Sequence, residues 1–208
     1  MVTFNWDRHW KEEEEPEGAR QFALRFAEML AGFMEENRIE SVADYGCGPA
    51  TTLFALARRF PEVSFHGFDV AASIISKNRE KARLEGTENI SFEMDSLPQP
   101  QTGLRFDLIT CLSTLHYVEE VEGALKALYG LLNPGGSMIF NYPSRYTRWA
   151  KIREITPDDE ENRMRFAALQ AGRNLTSQKK IGEALGARPR RFYSSRRHNV
   201  YALVRKIK

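Results

Sequence analysis

The chain of 208 residues, 42% of them apolar and 28% charged, has the length and composition of one folded α/β domain rather than of a disordered or fibrous chain. Its net charge of +2 does not by itself indicate a polyanionic partner. No apolar run approaches the roughly 20 residues of a membrane span, and the polar, aromatic first ten residues contain no secretory signal, so we expect a single cytoplasmic domain over residues 1–208.

Residues 1–15 are too few to form a core of their own, so their aromatic side chains must dock elsewhere. Phe4, Trp6 and Trp10 lie in this segment. It is either an arm that closes over a pocket, where aromatic faces would attract a cationic ligand, or an edge that simply packs on the domain. Apolar residues at three- and four-residue steps then predict a helix over residues 16–37.

The next segment reads as a strand, a tight turn and a helix. The strand covers residues 41–45 and ends with Asp44 and Tyr45, and the helix runs from Pro49 to residue 60. Gly46 and Gly48 allow a positive φ and leave no Cβ between the backbone and a ligand, while Pro49 suits the first turn of a helix. The third glycine of a dinucleotide-binding loop is missing, and the acid before the turn would repel a pyrophosphate but attract an ammonium group. A purely structural turn is the alternative.

Further acids follow the second and third predicted strands, residues 63–69 and 89–94. Asp69 ends the second strand, where a carboxylate can accept hydrogen bonds from ribose hydroxyls; alternatively, it caps the helix predicted over residues 71–85. Asp95 follows the third strand and precedes Ser96 and Leu97, where it could also be an ordinary turn residue before a proline.

The fourth predicted strand, residues 105–111, is almost continuously apolar, as expected of a central parallel strand. The loop after it should emerge beside the loop after the first strand, where ligands bind in open sheets. A helix over residues 119–132, a turn over residues 133–136 and a strand over residues 137–142 follow.

These motifs together resemble the class I S-adenosylmethionine (SAM)-dependent methyltransferases of the small-molecule type. The resemblance covers about residues 20–143 and depends on the Asp44-x-Gly46-x-Gly48 turn, the acids Asp69 and Asp95, and the LLNPGG segment. It implies a Rossmann-like seven-stranded, mostly parallel sheet with helices on both faces and an antiparallel C-terminal hairpin. It also implies SAM as the cofactor.

The resemblance assigns roles to particular residues. Asp44 would face the ammonium group of SAM, Asp69 the ribose and Asp95 the adenine. The full set expected to bind the cofactor is Trp10, Asp44, Tyr45, Gly46, Cys47, Gly48, Asp69, Val70, Asp95, Ser96, Leu97, Cys111 and Leu112. Trp6, His116, Tyr142 and Tyr146 are expected to contact the acceptor. His116, with Tyr117 as the second candidate, would be the base if the reaction needs one, although His116 could equally be bonded to its own loop.

Residues 143–187 are expected to be a helical insertion on the substrate side, and residues 141–151 a roof over the acceptor. A helix is predicted from residue 156 to about residue 171, and another is capped by Thr176 or Ser177 and ends at Gly186. Residues 190–193 and 199–206 would form the closing antiparallel pair.

The remaining composition limits the chemistry. Two cysteines, Cys47 and Cys111, and four scattered histidines predict neither a disulfide framework nor a metal site. From residue 179 onward, Glu183 is the one acid among many basic residues, which form either a solvated surface or a face for a polyanion: Lys179, Lys180, Arg188, Arg190, Arg191, Arg196, Arg197, Arg205, Lys206 and Lys208.

We therefore expect an enzyme that transfers a methyl group from SAM to an oxygen, nitrogen or carbon atom of a small molecule. The loop after the fourth strand contains neither the [DNS]PP[YFW] motif of amino-directed enzymes nor a Pro-Cys nucleophile. Three alternatives remain: an RNA or protein methyltransferase that uses the basic segment, a SAM-binding protein without catalysis, and, more remotely, an NAD-dependent dehydrogenase. Nucleic acid is possible but not favoured, and the sequence does not indicate an oligomeric state.

Overall fold

In the computed structural model, which describes residues 4–156, 158–196 and 199–207, the strands form one twisted sheet in the order β3-β2-β1-β4-β5-β7-β6. Neighbouring strands from β3 to β5 pair in parallel, whereas β7 is antiparallel to both β5 and β6. The predicted fold class is therefore confirmed. The strands are Ser41–Tyr45 (β1), Ser64–Asp69 (β2), Ile90–Met94 (β3), Phe106–Cys111 (β4), Leu132–Asn141 (β5), Arg190–Arg196 (β6) and Asn199–Arg205 (β7).

The helices lie on both faces of this sheet. One apolar cluster joins α2, α3 and α4 to one face through Leu30, Leu53 and Ile75, and a second joins α5 and α9 to the other face through Leu125 and Ile181. The helices are Trp6–Glu12 (α1), Glu17–Asn37 (α2), Thr51–Arg59 (α3), Ala72–Glu85 (α4), Val121–Gly130 (α5), Arg145–Glu154 (α6), Glu160–Arg165 (α7), Ala167–Ala171 (α8) and Gln178–Leu185 (α9).

The start of β5 differs from the prediction. The strand begins at Leu132 rather than at residue 137, because the expected turn over residues 133–136 is an irregularity inside the strand. Leu132 pairs with Phe106, and the register shifts before the next pair. A Cβ at Gly136 would lie 3.0 Å from the carbonyl oxygens of Asn133 and Phe106, so this close approach of β4 and β5 requires glycine.

Two helices also differ from the prediction. The single helix expected from residue 156 to residue 171 is wrong: it is interrupted at Phe166, which leaves the helical conformation and is buried against Tyr117. Pro49 does not occupy the first helical turn, because Ala50, in the left-handed conformation with φ 55°, precedes the first helical residue, Thr51. Of the two predicted caps for α9, Ser177 is the one that accepts from the backbone of Lys180.

Candidate active site

A cavity of about 630 Å³ opens at the carboxyl ends of β1, β2 and β4, beneath α1. Ligands bind at this edge in open α/β sheets, because the loops that follow neighbouring parallel strands meet there. The strand-tip acids Asp44 and Asp69, the loop Gly46–Gly48 and the loop Leu112–Thr114 all contribute to its wall. The sheet topology thus brings together segments that are far apart in the sequence.

The glycine loop after β1 is held tightly. The backbone N–H groups of Gly46 and Cys47 both donate to the carbonyl of Phe68, at 2.7 and 3.0 Å. Gly46 has φ 75°, and a Cβ there would lie 2.1 Å from Oγ1 of Thr114. Gly48 lies beneath the indole of Trp10, whose Cζ2 would be 3.2 Å from an added Cβ. These two glycines let the backbone approach the cavity closely.

Asp44 is a buried carboxylate at the base of the cavity. Only 6% of its surface is exposed, and its Oδ1 accepts a hydrogen bond of 2.7 Å from Thr110. Burial, with a smaller contribution from the charge of Asp69, raises its pKa to about 6. A carboxylate that has lost its hydration in this way would be stabilised by a ligand ammonium group, which is the role expected from the sequence.

Asp69 connects two loops at the cavity. Its Oδ2 accepts from the N–H of Gly48 and its Oδ1 from the N–H of Ala71, each at 3.0 Å. Burial raises its pKa, while these backbone N–H groups and that of Val70 oppose the rise. The alternative role as a cap is only indirect, because Ala71 is the N-cap residue of α4 and makes no side-chain cap bond. A carboxylate has about four lone-pair sites, so the three backbone N–H groups leave about one for a hydroxyl donor.

The third acid is placed differently. Asp95 uses its carboxylate to close its own loop, accepting from the N–H of Ser96 at 2.7 Å and of Gln101 at 2.9 Å, and from the hydroxyl of Tyr45 at 3.2 Å. Asp95, Ser96, Leu97 and Tyr45 do not belong to the cavity wall, whereas Val70 does.

Helix α1 covers the cavity and is fixed to α4. Oδ1 of Asp7 accepts from the N–H of Ser73 at 2.7 Å, and the Ser73 hydroxyl donates to the carbonyl of Asp7 at 2.9 Å. The Lys77 ammonium group donates to the carbonyl of Trp10. A carboxylate at the first turn of a helix is favoured by the helix dipole. The segment is therefore packed on the domain, and its Trp6, His9 and Trp10 also line the cavity.

Helix α7 meets α1 at the outer end of the cavity. Arg165 donates to Oε1 of Glu161 at 2.8 Å and to Nδ1 of His9 at 3.1 Å, and its guanidinium lies over the rings of Phe4 and Trp6. An arginine can only donate, so Nδ1 of His9 accepts and the imidazole is neutral. Burial, followed by the charge of Arg165, lowers the pKa of His9. The short His9–Glu161 distance of 3.3 Å is therefore not an ion pair.

The predicted catalytic and acceptor residues separate into two groups. Tyr117 and Trp6 line the cavity and contact each other edge to face, with 4.6 Å between ring centroids. His116 is not part of the cavity wall; it is 7% exposed, and burial lowers its pKa to about 4, with a smaller effect of Lys151. Tyr142 and Tyr146 lie outside the wall, and Tyr146 is 73% exposed.

The loop after β4 explains this division. Ser113 has φ 58°, an unusual conformation for a residue with a side chain, and its N–H donates to Asn141 at 2.7 Å. Beyond this turn Thr114 and Tyr117 face the cavity, while Leu115 and His116 are buried. Both cysteines are buried thiols; Cys47 and Leu112 line the cavity, and Cys111 does not.

Sequence reasoning missed part of the wall. The missed residues include acids on the α1–α2 connection, two threonines of α3, and the N-cap and several residues of α7: Glu13, Glu14, Glu15, Thr51, Thr52, Asp159, Glu161, Asn162 and Arg165. The i, i+3 spacings of Asp159 with Asn162 and of Asn162 with Arg165 were a signal that each of these pairs is adjacent on the helix surface. Within the described residues, no group of three His, Cys, Asp or Glu side chains could hold a metal ion.

The basic C-terminal side chains that the structure describes are not part of the cavity wall. Arg205 donates to Asn37 and Lys206 to the carbonyl of Leu132, the latter at 2.8 Å, whereas Arg190 and Arg191 are exposed on the edge strand β6. Arg197, Lys208 and the side chain of Arg196 lie outside the part of the chain that the structure describes. No helix in the described part of the chain is both long and apolar enough to cross a membrane.

A sheet of this order with a glycine loop and two strand-tip acids at one cavity defines a Rossmann-like nucleotide-cofactor site. Residues 37–189 match the family model described as a methyltransferase domain, and the chain belongs to that family. The predictions of a class I SAM-dependent methyltransferase and of SAM as its cofactor are confirmed.

Curated relatives and solved structures agree with this assignment. The chain is 29% identical over 109 residues to "Ubiquinone biosynthesis O-methyltransferase" of Acinetobacter baumannii (strain AYE), a match that covers 51% of this chain and 45% of that protein. It is 32% identical over 102 residues to "Trans-aconitate 2-methyltransferase" of Paracidovorax citrulli, covering 49% and 38%. The chain therefore spans less than half the length of these curated relatives.

Solved structures share the fold at low sequence identity. A S-adenosylmethionine-dependent methyltransferase from Clostridium acetobutylicum superposes with a TM-score of 0.68 at 14% identity, covering 88% of this chain and 92% of that chain. The N-methyltransferase NodS from Bradyrhizobium japonicum, in complex with S-adenosyl-L-homocysteine (SAH), gives 0.62 at 18% identity, covering 98% and 94%. At these identities the similarity shows the fold.

Proposed function

We propose that this chain is an enzyme that transfers the methyl group of SAM to a small-molecule acceptor. The observation that carries the proposal is the pairing of two buried carboxylates, Asp44 and Asp69, with a glycine loop at one cavity. The fit is chemical: a buried acid with a pKa raised to about 6 suits an ammonium group, and an acid bonded only to backbone N–H groups can accept from hydroxyls.

Bound SAM would supply a methyl group on a positively charged sulfur, so the chain has no difficult bond to activate by itself. Its residues bind, align and exclude water. Asp44 and the loop Gly46–Gly48 would hold the amino-acid end, Asp69 and Val70 the ribose, and Trp10 would cover the loop. Tyr117 and Trp6 would form the acceptor side. We propose no role as a base for His116, because it lies outside the wall.

The adenine site remains a proposal as well. Asp95, with Ser96 and Leu97, follows β3 at the expected place, but its carboxylate is engaged with Gln101 and Tyr45. We propose that backbone groups of this loop, more than the Asp95 carboxylate, meet the adenine. We also propose a single domain and a cytoplasmic location, the latter because both cysteines are buried free thiols.

Calorimetry with SAM, SAH and NAD, together with SAH release on pools of acceptors, tests the function. We expect micromolar binding of SAM and SAH, no binding of NAD, and SAH release with small molecules. Binding of NAD alone would contradict the cofactor proposal, and SAM binding without SAH release on any pool would indicate a non-catalytic protein. Product on RNA or protein, abolished by charge reversal at Arg190 and Arg191, would favour the polyanion alternative.

A further inference from the structure

The outer half of the cavity, which the cofactor residues do not use, has an unusually one-sided charge. Five carboxylates line it, from the α1–α2 connection and from α7: Glu13, Glu14, Glu15, Asp159 and Glu161. Among the lining residues that the structure describes, Arg165 is the only permanent cation. A cleft lined by one sign of charge concentrates ligands of the opposite sign, so this mouth favours cations and disfavours anions.

The single cation is already compensated. Arg165 is paired with Glu161 at 2.8 Å and lies over the Phe4 and Trp6 rings. His9 is neutral in this arrangement because its Nδ1 accepts from Arg165. A carboxylate on the acceptor would therefore have to displace an existing ion pair. However, Nε of Arg165 is buried without a hydrogen-bonding partner among the described residues. An acceptor that carries a carboxylate is for this reason the alternative outcome to test.

The five carboxylates differ in whether they already have hydrogen-bonding partners within the protein. Glu15 accepts from Thr51 at 2.6 Å and Asp159 caps α7. In contrast, the exposed side chains of Glu13 and Glu14 make no hydrogen bond or ion pair with any described residue, and Glu13 interacts only through its charge, with His9. These two carboxylates are free to interact with a ligand at the cavity mouth.

Aromatic rings complete the outer wall. Trp6, Trp10 and Tyr117 line the cavity, and Trp6 contacts Tyr117 with 4.6 Å between ring centroids. The faces of tryptophan and tyrosine attract ammonium groups, and more strongly so where water is excluded. Carboxylates and aromatic faces in one cavity both favour a ligand that carries an ammonium group, the first by charge and the second by cation–π attraction.

From this wall we infer that the methyl acceptor is a small-molecule aliphatic amine, bound as its ammonium ion beside the Glu13 and Glu14 carboxylates. The inference rests on the proposed function and deepens it. Before transfer the ammonium ion loses a proton to water. The neutral nitrogen then forms a bond to the methyl carbon while the carbon–sulfur bond breaks and its electron pair remains on sulfur. The products are the N-methylammonium ion and neutral-sulfur SAH.

Transfer from SAM with a deuterated methyl group, in a metabolite extract freed of macromolecules, identifies the acceptor class by mass spectrometry. We expect the label on compounds that a cation exchanger retains at neutral pH. Label on carboxylates, phenols or other non-basic compounds would overturn the amine inference and leave the proposed function intact. No labelled product despite measured SAM binding would contradict both proposals.

A charge-matched pair of variants then tests the wall itself. Glu13→Gln with Glu14→Gln should raise the KM of the labelled amine about threefold to tenfold at low salt, an effect that added KCl reduces. The control, Glu36→Gln with Glu62→Gln, changes the net charge equally at exposed positions outside the cavity, and we expect an unchanged KM. Both variants should bind SAH as the wild type does. Equal KM values for the two variants would overturn the role of the mouth carboxylates.

Discussion

Asp69 accepts a hydrogen bond of 3.0 Å from the backbone N–H of Gly48, so the end of β2 holds the glycine loop that follows β1. Its other oxygen accepts from Ala71, at the start of α4. One side chain thereby fixes three segments of the cofactor site relative to each other. The site is preorganised by the protein rather than assembled around its ligand, which lowers the entropic cost of binding.

The Asp69→Asn variant tests this arrangement. An amide has one acceptor oxygen and one donor NH₂ group, so either Gly48 or Ala71 loses its hydrogen bond and faces another donor. We expect the free energy of unfolding to fall by about 1–3 kcal/mol and SAM binding to weaken at least tenfold, as measured by urea denaturation and calorimetry. Unchanged stability would contradict the connection described here.

Asp44→Asn should act in the opposite direction on stability. The pKa of Asp44 is raised from 3.8 to about 6 by burial, so its stabilising contribution is complete below the lower value and is lost as pH rises through the higher one. Near pH 7 the buried charge is destabilising, and the neutral amide can still accept from Thr110. We expect the free energy of unfolding near pH 7 to be about 1–3 kcal/mol higher in the variant than in the wild type.

The same Asp44→Asn variant should bind SAM poorly, because the ammonium group loses its carboxylate. In the wild type, SAM affinity should decline as pH falls below about 6, where Asp44 becomes protonated. Calorimetry across this range measures both effects. An affinity that is independent of pH would show that Asp44 does not face the ligand charge.

Gly46→Ala should abolish cofactor binding, since its Cβ would lie 2.1 Å from Oγ1 of Thr114. Gly86→Ala is the matched control: Gly86 also has a positive φ, but an added Cβ would meet nothing within 4 Å. We expect the control to lose about 1 kcal/mol of stability from backbone strain and to bind SAM normally. Thermal unfolding and calorimetry on both variants separate strain from steric exclusion.

Asp7→Asn should release the helix that covers the cavity. Its carboxylate accepts from the N–H of Ser73 at 2.7 Å, and that interaction is weaker with a neutral acceptor. We expect faster SAH dissociation and faster hydrogen exchange over residues 6–12. Glu12→Gln is the control, because it removes one charge from the same helix while its partner, Arg8, is exposed. Equal exchange rates in both variants would contradict the docking role of Asp7.

His116→Gln should leave the pH dependence of the reaction unchanged. Burial lowers the pKa of His116 to about 4, so its titration would not appear in the rate near neutral pH, and the side chain does not face the cavity. We expect reduced stability and an unchanged shape of the kcat profile against pH. Loss of an ionisation near neutrality would restore His116 as a base.

The sequence indicated the part of the cavity at the strand ends, because neighbouring parallel strands bring the residues at their carboxyl ends together. Asp44 and Asp69 end neighbouring strands and must meet at one edge of the sheet, and a glycine before and after Cys47 signals a close backbone approach. The direction of Asp95 could not be predicted, since it depends on the N–H of Gln101 and hence on the path of a whole loop. The burial of His116 outside the cavity wall could not be predicted either, because it follows the turn at Ser113, which has a positive φ.

The outer half was hidden for a different reason. His9 and Arg165 are separated by 156 positions, and each lies on a short helix that does not pack directly on the sheet. No local pattern links such segments, because their contact results from the docking of α1 on α4 and of α7 on the cavity mouth. The negative charge of residues 12–15 was visible, but its position at the cavity was not.

The two halves of the cavity are built from separable parts of the chain. The half proposed for the cofactor belongs to strand ends and to loops fixed by backbone hydrogen bonds, and changes there would disturb the sheet. The half proposed for the acceptor belongs to α1, α7 and the connection after α1, which contact the sheet little. Under the proposed function we expect substitutions in these helices to alter the accepted compound and to leave the cofactor chemistry unchanged, so they are the segments to exchange when a new acceptor is sought by engineering.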